Sequence, residues 1–428
     1  MSRRLTALVL LAAAQAFAAD PGAFDWPQWR GPDRTGLSKE TGLLKKWPPE
    51  GPKQVWKITG LGDGYSSPTI SAGRIYVIGT KSNDEHMFCL AEKDGARIWD
   101  AKLGPKAAVS YSGPRSSATV DGVHAYAVTS NGILSCVELA KGTVVWQKNY
   151  KTEFGGKHGS WGYAESPLVD GDLVIGTPGA DAAALAAFKK KTGDLVWRTA
   201  ITGVNRKPSA EQKKKRDPRN YTTAGYSSVV AAEIGGVKQY VQFIDGGVVG
   251  VSAKDGKLLW HYEEPASEGA NISTPIVRGD LVFATASYNT GAGQAKIVKT
   301  ADGFKAESQY FLARFQNHHG GVLLVDEHLY GTSNTQLMCL DFKTGKIAWE
   351  ERGVGKGSVT YADGHLYVRG ENGKVALVEA SPTKYVEVGK FDQPDRSKQA
   401  AWPHPVVANG KLYLRDWDVL FCYDVKAK

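Results

Sequence analysis

One phrase returns along this chain and limits what it can fold into: a small residue, a glycine six positions later, and a tryptophan four positions after that. It reads Cys89, Gly95, Trp99; then Cys136, Gly142, Trp146; Ala187, Gly193, Trp197; Gly250, Gly256, Trp260; and Cys339, Gly345, Trp349. Most copies centre on a Lys-x-Gly step, the mark of a hairpin turn, because glycine accepts the positive φ such turns require. A second phrase precedes each: Ser-Pro or Ser-Ser, a few apolar residues, a glycine turn, then alternating apolar positions. Its copies begin at Ser67, Ala118, Ser166, Ser228, Ser273, Gly321, Ser358 and Pro405. Each unit of about 45 residues thus holds four short strands in up-and-down order, the signature of a propeller blade. The 49 Gly, 12 Trp and 18 Tyr against 3 Met agree with strands and tight turns rather than helices.

The irregular copies are informative. The fifth ends on Tyr310 and Phe311 and the seventh on Val388 and Phe391, where tryptophan would stand. The eighth stops at Cys422-Tyr423-Asp424, before a fourth strand, while Trp56 stands in an orphan strand, Gln54 to Ile58. Pairing that orphan with residues 405–425 closes a ring and hides a sheet edge. The fold expected is therefore all-β: an eight-bladed β-propeller of four-stranded antiparallel blades, closed by an N-terminal strand that completes the last blade. The tryptophans then serve as packing between blades. Cys89, Cys136, Cys339 and Cys422 occupy equivalent places in different sheets. Facing sheets lie about 10 Å apart, too far for a disulfide, so four buried thiols are expected.

Residues 1–18 read as a cleavable signal: Arg3 and Arg4, the apolar run Leu5 to Ala14, and Ala16-Phe17-Ala18 as the cleavage site. No cysteine follows for a lipid anchor, and no later stretch reaches the ~20 apolar residues that span a bilayer. The division expected is a signal peptide at 1–18, an N-terminal extension at 19–53, and one propeller domain at 54–428 with a basic insertion at 203–221. That insertion holds seven basic and two acidic residues, and the leader holds two arginines. Little of the formal charge of +9 is left for the body, which excludes a general nucleic-acid-binding surface. A periplasmic or secreted monomer is expected, neither spanning a membrane nor anchored in one.

In a propeller the residues just before each innermost strand ring one mouth of the central channel. Read blade by blade, the candidate ligand-binding ring is Tyr65, Arg115, Trp161, Tyr163, Glu165, Tyr226, Asn271, His318, His319, Lys356, Trp402 and His404. Aromatic rings with converging acids, bases and amides in a concavity make a binding site. His318 and His319 are adjacent, and successive strand residues face opposite ways, so no metal set is expected of them. No Asp stands in the ring to take a hydroxyl proton.

The repeated A-x-D-x-x-x-G-x-x-x-W phrase resembles the tryptophan-docking repeat of the PQQ-binding-like, or quinoprotein-type, propellers. Trp26-Pro27-Gln28-Trp29-Arg30-Gly31-Pro32, Tyr163-Ala164-Glu165-Ser166-Pro167, Asn317-His318-His319-Gly320-Gly321 and Trp402-Pro403-His404-Pro405 look similar to motifs of the same family. The resemblance implies one of two roles. The first is a non-catalytic binding or scaffold protein of the cell envelope, needing no cofactor, with a partner protein or a small-molecule or polymer ligand at the mouth. The alternative is a PQQ- and calcium-dependent alcohol or polyol dehydrogenase. There Glu165 and Asn271 would serve as calcium ligands, Trp402 or Trp161 as the stacking ring, and Arg115 or Lys356 as the cation at the quinone. Against that alternative, the chain lacks an adjacent Cys-Cys pair and a CxxCH haem motif. The expectation is the first role, not an enzyme.

Overall fold

Every repeat closes on itself as a four-stranded antiparallel sheet, and eight such sheets are present. The computed structural model describes residues 22–202 and 221–428; the expected signal peptide and all but Tyr221 of the basic insertion lie outside the described residues. Blade 1 runs through Thr69–Ser71, Arg74–Lys81, Asp84–Ala91 and Arg97–Pro105. Blades 2 to 7 follow in chain order at 119–149, 168–198, 230–262, 276–312, 323–351 and 357–392. In blade 8, Val406–Ala408, Lys411–Asp416 and Val419–Asp424 are completed by Lys53–Ile58. Trp56 lies opposite Cys422 and Ile58 opposite Leu420, so the ring shuts at the place the orphan strand predicts.

The tryptophan of every docking repeat but one works across the seam to the following blade. The indole N–H of Trp56 donates to the Glu92 carbonyl at 3.2 Å, Trp99 to Leu139 at 3.0 Å, Trp146 to Lys190 at 2.9 Å and Trp349 to Ser381 at 2.8 Å. Below each ring sits the next repeat's glycine: a Cβ on Gly142 would lie 2.6 Å from the Trp99 ring, and one on Gly193 2.8 Å from Trp146. Both glycines also have φ near +74°, so sterics and backbone conformation require the same residue. Tyr310 replaces tryptophan in blade 5 and keeps the geometry, its hydroxyl donating to Phe342 O at 3.0 Å over Gly345. Trp260 departs from the pattern: its N–H turns to Gln239 Oε1 of its own blade at 2.7 Å. The four cysteines are buried and free. Burial pushes the thiols of Cys89, Cys136 and Cys422 up to about 12.

The N-terminal segment does not lie outside the ring. Trp26 bridges Ile70 of blade 1, and the Pro27 carbonyl accepts from Val120 N in blade 2. Arg34 donates to Ser166 O and Pro167 O at the start of blade 3, and the Trp29 indole to Thr274 Oγ1 before blade 5. Arg30 donates to Gly320 O and Val322 O before blade 6. Ser38 N reaches Tyr361 O in blade 7, and Glu40 accepts from Gly410 N in blade 8. This segment therefore crosses the channel and ties blades 1, 2, 3, 5, 6, 7 and 8 from inside. Burial lowers Arg30 to about 10 and Arg34 to about 9, and the carbonyls around them take the place of water.

Candidate functional site

With one end crossed by residues 26–43, the channel becomes a bowl of about 480 Å³ open at the mouth where the inner strands begin. Its floor is built on Trp29, whose ring lies 4.5 Å from that of His404. The rim is aromatic: Tyr65, Tyr111, Trp161, Tyr226, Tyr288 and Trp402 all line it. They hold one another through ring contacts: Tyr65 to Trp402 at 4.5 Å, Tyr111 to Trp402 at 5.3 Å, Trp161 to Tyr226 at 5.4 Å and to Tyr288 at 6.0 Å. Arg115 fastens the rim, its guanidinium lying over the Tyr65 and Trp402 rings while donating to the carbonyls of Tyr111, Gly113 and Trp161. Tyr111 and Tyr288 both adopt positive φ, near +53° and +55°, which turns them out of their loops at the edge.

One wall is polar. Glu371 Oε1 accepts from the Trp402 indole at 2.7 Å, from His319 Nε2 at 2.8 Å and from Lys356 Nζ at 3.2 Å. Burial alone would raise this carboxyl, but His319, Trp402 and Lys356 hold it down at about 2. His318 stacks on His319 with centroids 5.5 Å apart, and its Nε2 lies 2.9 Å from the Tyr288 hydroxyl. Burial first, then Lys356, lowers His318 to about 4; burial lowers His404 to about 3. Burial raises Tyr65 and Tyr226 to about 12. At neutral pH the wall therefore presents an anchored carboxylate, a lysine and at least two uncharged imidazoles.

Nine of the twelve ring candidates line this bowl: Tyr65, Arg115, Trp161, Tyr226, His318, His319, Lys356, Trp402 and His404. The other three turn into the blades. Tyr163 donates its hydroxyl to Pro178 O at 2.8 Å, and Glu165 accepts from Thr177 N at 2.6 Å. The Asn271 amide is spent on Ile244 O, Asp245 O and Ser267 N. All three are buried and away from the lining, so the oxygens of Glu165 and Asn271 do not fit a calcium site in the bowl. The expected divergence of His318 and His319 also fails: they lie in a bend, not a strand, and alternation does not apply. A carboxylate does stand in the bowl, but it is Glu371. Glu371 and Tyr288 come from the turns between the second and third strands of blades 7 and 5, which open on the same mouth. Those turns carry no repeating phrase; the usable signal is their distance from the inner strand.

A family model described as outer membrane protein assembly factor BamB matches residues 33–214 and 159–351. The chain belongs to this family of PQQ-like propellers. No curated protein matches it. Among solved structures it is similar to BamB from Moraxella catarrhalis, with a TM-score of 0.60 at 15% identity, covering 88% of this chain and 98% of that one. It is also similar to the quinohemoprotein alcohol dehydrogenase of Comamonas testosteroni, with a TM-score of 0.62 at 13% identity over 96% and 82%. A computationally designed protein, Ika8, gives 0.58 at 8% identity. Identities this low establish a shared fold and leave the activity of this PQQ-like propeller to its own side chains. Among the described residues, no helix is long and apolar enough to cross a membrane.

Proposed function

We propose that this PQQ-like propeller is an exported, non-catalytic binding protein of the cell envelope, and that its ligand or a protruding group of a partner enters the aromatic bowl. The observation that carries this reading is the state of Glu371. It is the one carboxylate among the lining residues, and its Oε1 is already taken by Trp402, His319 and Lys356, which makes it an anchored recognition group of the bowl. The volume and the rings around it suit a small cyclic ligand or an aromatic side chain, which would stack on Trp161 or Trp402. The closed floor leaves the mouth as the route in and out. The BamB description of the family model supports a protein-binding role in the envelope.

The dehydrogenase alternative rests on the fold shared with the Comamonas enzyme. The placement of Glu165 and Asn271 does not favour it. The test uses the purified chain with PQQ plus calcium as one probe and a panel of soluble oligosaccharides as the other, read by tryptophan fluorescence and by dye reduction with alcohols. Saturable quenching without dye reduction, weakened at least about tenfold by Trp161→Ala, is the expected result. Alcohol-dependent dye reduction would overturn the non-catalytic reading.

A further inference from the structure

We infer that the polar wall of the bowl is a binding site for a late first-row divalent metal such as Zn²⁺, held by His318, His319 and Glu371. A ligand atom from each of the three lies within 4.8 Å of the others, and no other such group occurs among the described residues. Two imidazoles and a carboxylate are a donor set that suits zinc and its neighbours and leaves coordination positions open. Two further observations point the same way. The Nδ1 atom of His318 is buried without a hydrogen-bond partner, a cost the fold carries with nothing in return from the protein, while His319 already turns its Nε2 toward Glu371. All three donors to Glu371 converge on Oε1, and among the described residues none reaches Oε2.

The surroundings also resemble the outer support of a metal site. The Tyr288 hydroxyl fixes His318 through Nε2, and the Trp402 indole fixes Glu371 through Oε1. Ligands around zinc stand roughly 3.3 Å apart, so the three groups must close by somewhat over 1 Å, a movement that side-chain rotation supplies. Lys356 is the competitor for the carboxylate. Its ammonium lies 3.2 Å from Oε1 on a flexible stem, and its side chain is 26% exposed, which lets it swing out to the mouth. The open coordination positions face the bowl, so the metal would grip an oxygen of whatever the bowl holds. This deepens the binding reading above, but it is tested without any organic ligand.

The experiment titrates the tag-free, chelator-treated full chain with Zn²⁺ alone by calorimetry, with Ca²⁺ and Mg²⁺ in parallel. Co²⁺ then replaces zinc and is read by its visible absorption. One equivalent of Zn²⁺ is expected, with Ca²⁺ and Mg²⁺ at least about a hundredfold weaker. Glu371→Gln, which keeps the size and the Trp402 contact, and His318→Ala should each weaken Zn²⁺ at least about tenfold and shift or abolish the Co²⁺ bands. His124→Ala, on the far side of blade 2, should change neither. Thermal unfolding of each variant shows that it is folded. Absence of stoichiometric Zn²⁺ binding, or binding that survives both substitutions in folded protein, overturns the proposal. A failed organic-ligand screen bears only on the bowl reading and leaves this titration standing.

Discussion

Glu85 isolates what a single carboxyl contributes when the fold removes it from water. It is fully buried, and both the N–H and the hydroxyl of Ser130 donate to it. Burial pushes it up to about 7, against the pull of Ser130, Arg115 and Lys106 in the other direction. Its folded value thus lies above the ordinary 4.5, and the folded state holds the proton more tightly than the unfolded one. The associated stability is complete below about pH 4.5 and is lost as pH rises through about 7. Glu85→Gln keeps a partner for each Ser130 group and has no charge to bury. The variant should match the parent near pH 4.5 and become more stable than it by pH 8, by on the order of 3 kcal/mol at most. Other titrating groups are common to both proteins, so the difference between their unfolding curves isolates Glu85. Curves that stay parallel from pH 5 to pH 8 would rule the account out.

At five of the eight seams an indole N–H crosses to the next blade, and this is why so much of the fold can be read before any coordinate. The spacing from small residue to glycine to tryptophan is a steric requirement, since the ring of one blade needs a bare Cα in the next, as Trp146 does at Gly193. Blade 5 supplies a natural control, because Tyr310 fills the same place with a phenol that reaches Phe342 O. Trp146→Ala removes the ring and one of the two hydrogen bonds to the Lys190 carbonyl, the other coming from the Tyr126 hydroxyl, which should cost about 3 kcal/mol. Trp146→Tyr should cost only about 1 kcal/mol, since Tyr310 shows that a phenol bridges the seam. Denaturant unfolding of the two variants checks the order; equal losses would mean that a phenol at this seam neither fills the place of the indole nor bridges it, and that the blade 5 geometry does not transfer. The site was less legible than the seams. Residues placed by their distance from an inner strand, such as Trp161 and Trp402, line the bowl. Glu371 and Tyr288 sit in turns whose length and residues differ between blades, so no periodicity marks them. Tyr163, Glu165 and Asn271 lie on the right loops, but the pitch of those loops turns the side chains inward, which spacing alone does not reveal.

At the scale of the whole ring, the stretch before the first strand shows most clearly where sequence reading ends. Its tryptophans and arginines show no periodicity, so it reads as an extension, yet Trp26, Leu43 and Trp47 are buried in the cores of blades 1, 7 and 8. Arg30 and Arg34 give their N–H groups to carbonyls of blades 3 and 6, which have no water to turn to if the arginines are removed. Blades 8 and 1 are held further by Arg415, whose guanidinium donates to the carbonyls of Gly62, Ser66 and Ile78. Two kinds of closure therefore act together: the strand Lys53–Ile58 pairs the ends, and the segment before it binds blades across the diameter. A chain beginning at Lys53 keeps the first and lacks the second. We expect it to lose the sharp thermal transition or to melt more than about 10 °C below a chain beginning at Gly22, because several buried carbonyls and three large apolar pockets lose their partners together. It should also lose any bowl ligand, since Trp29 and the floor go with the deleted piece. Melting the two chains side by side decides the matter: an unchanged transition would mean that the edge pairing alone carries the ring, and that the crossing segment shapes the bowl without holding the blades.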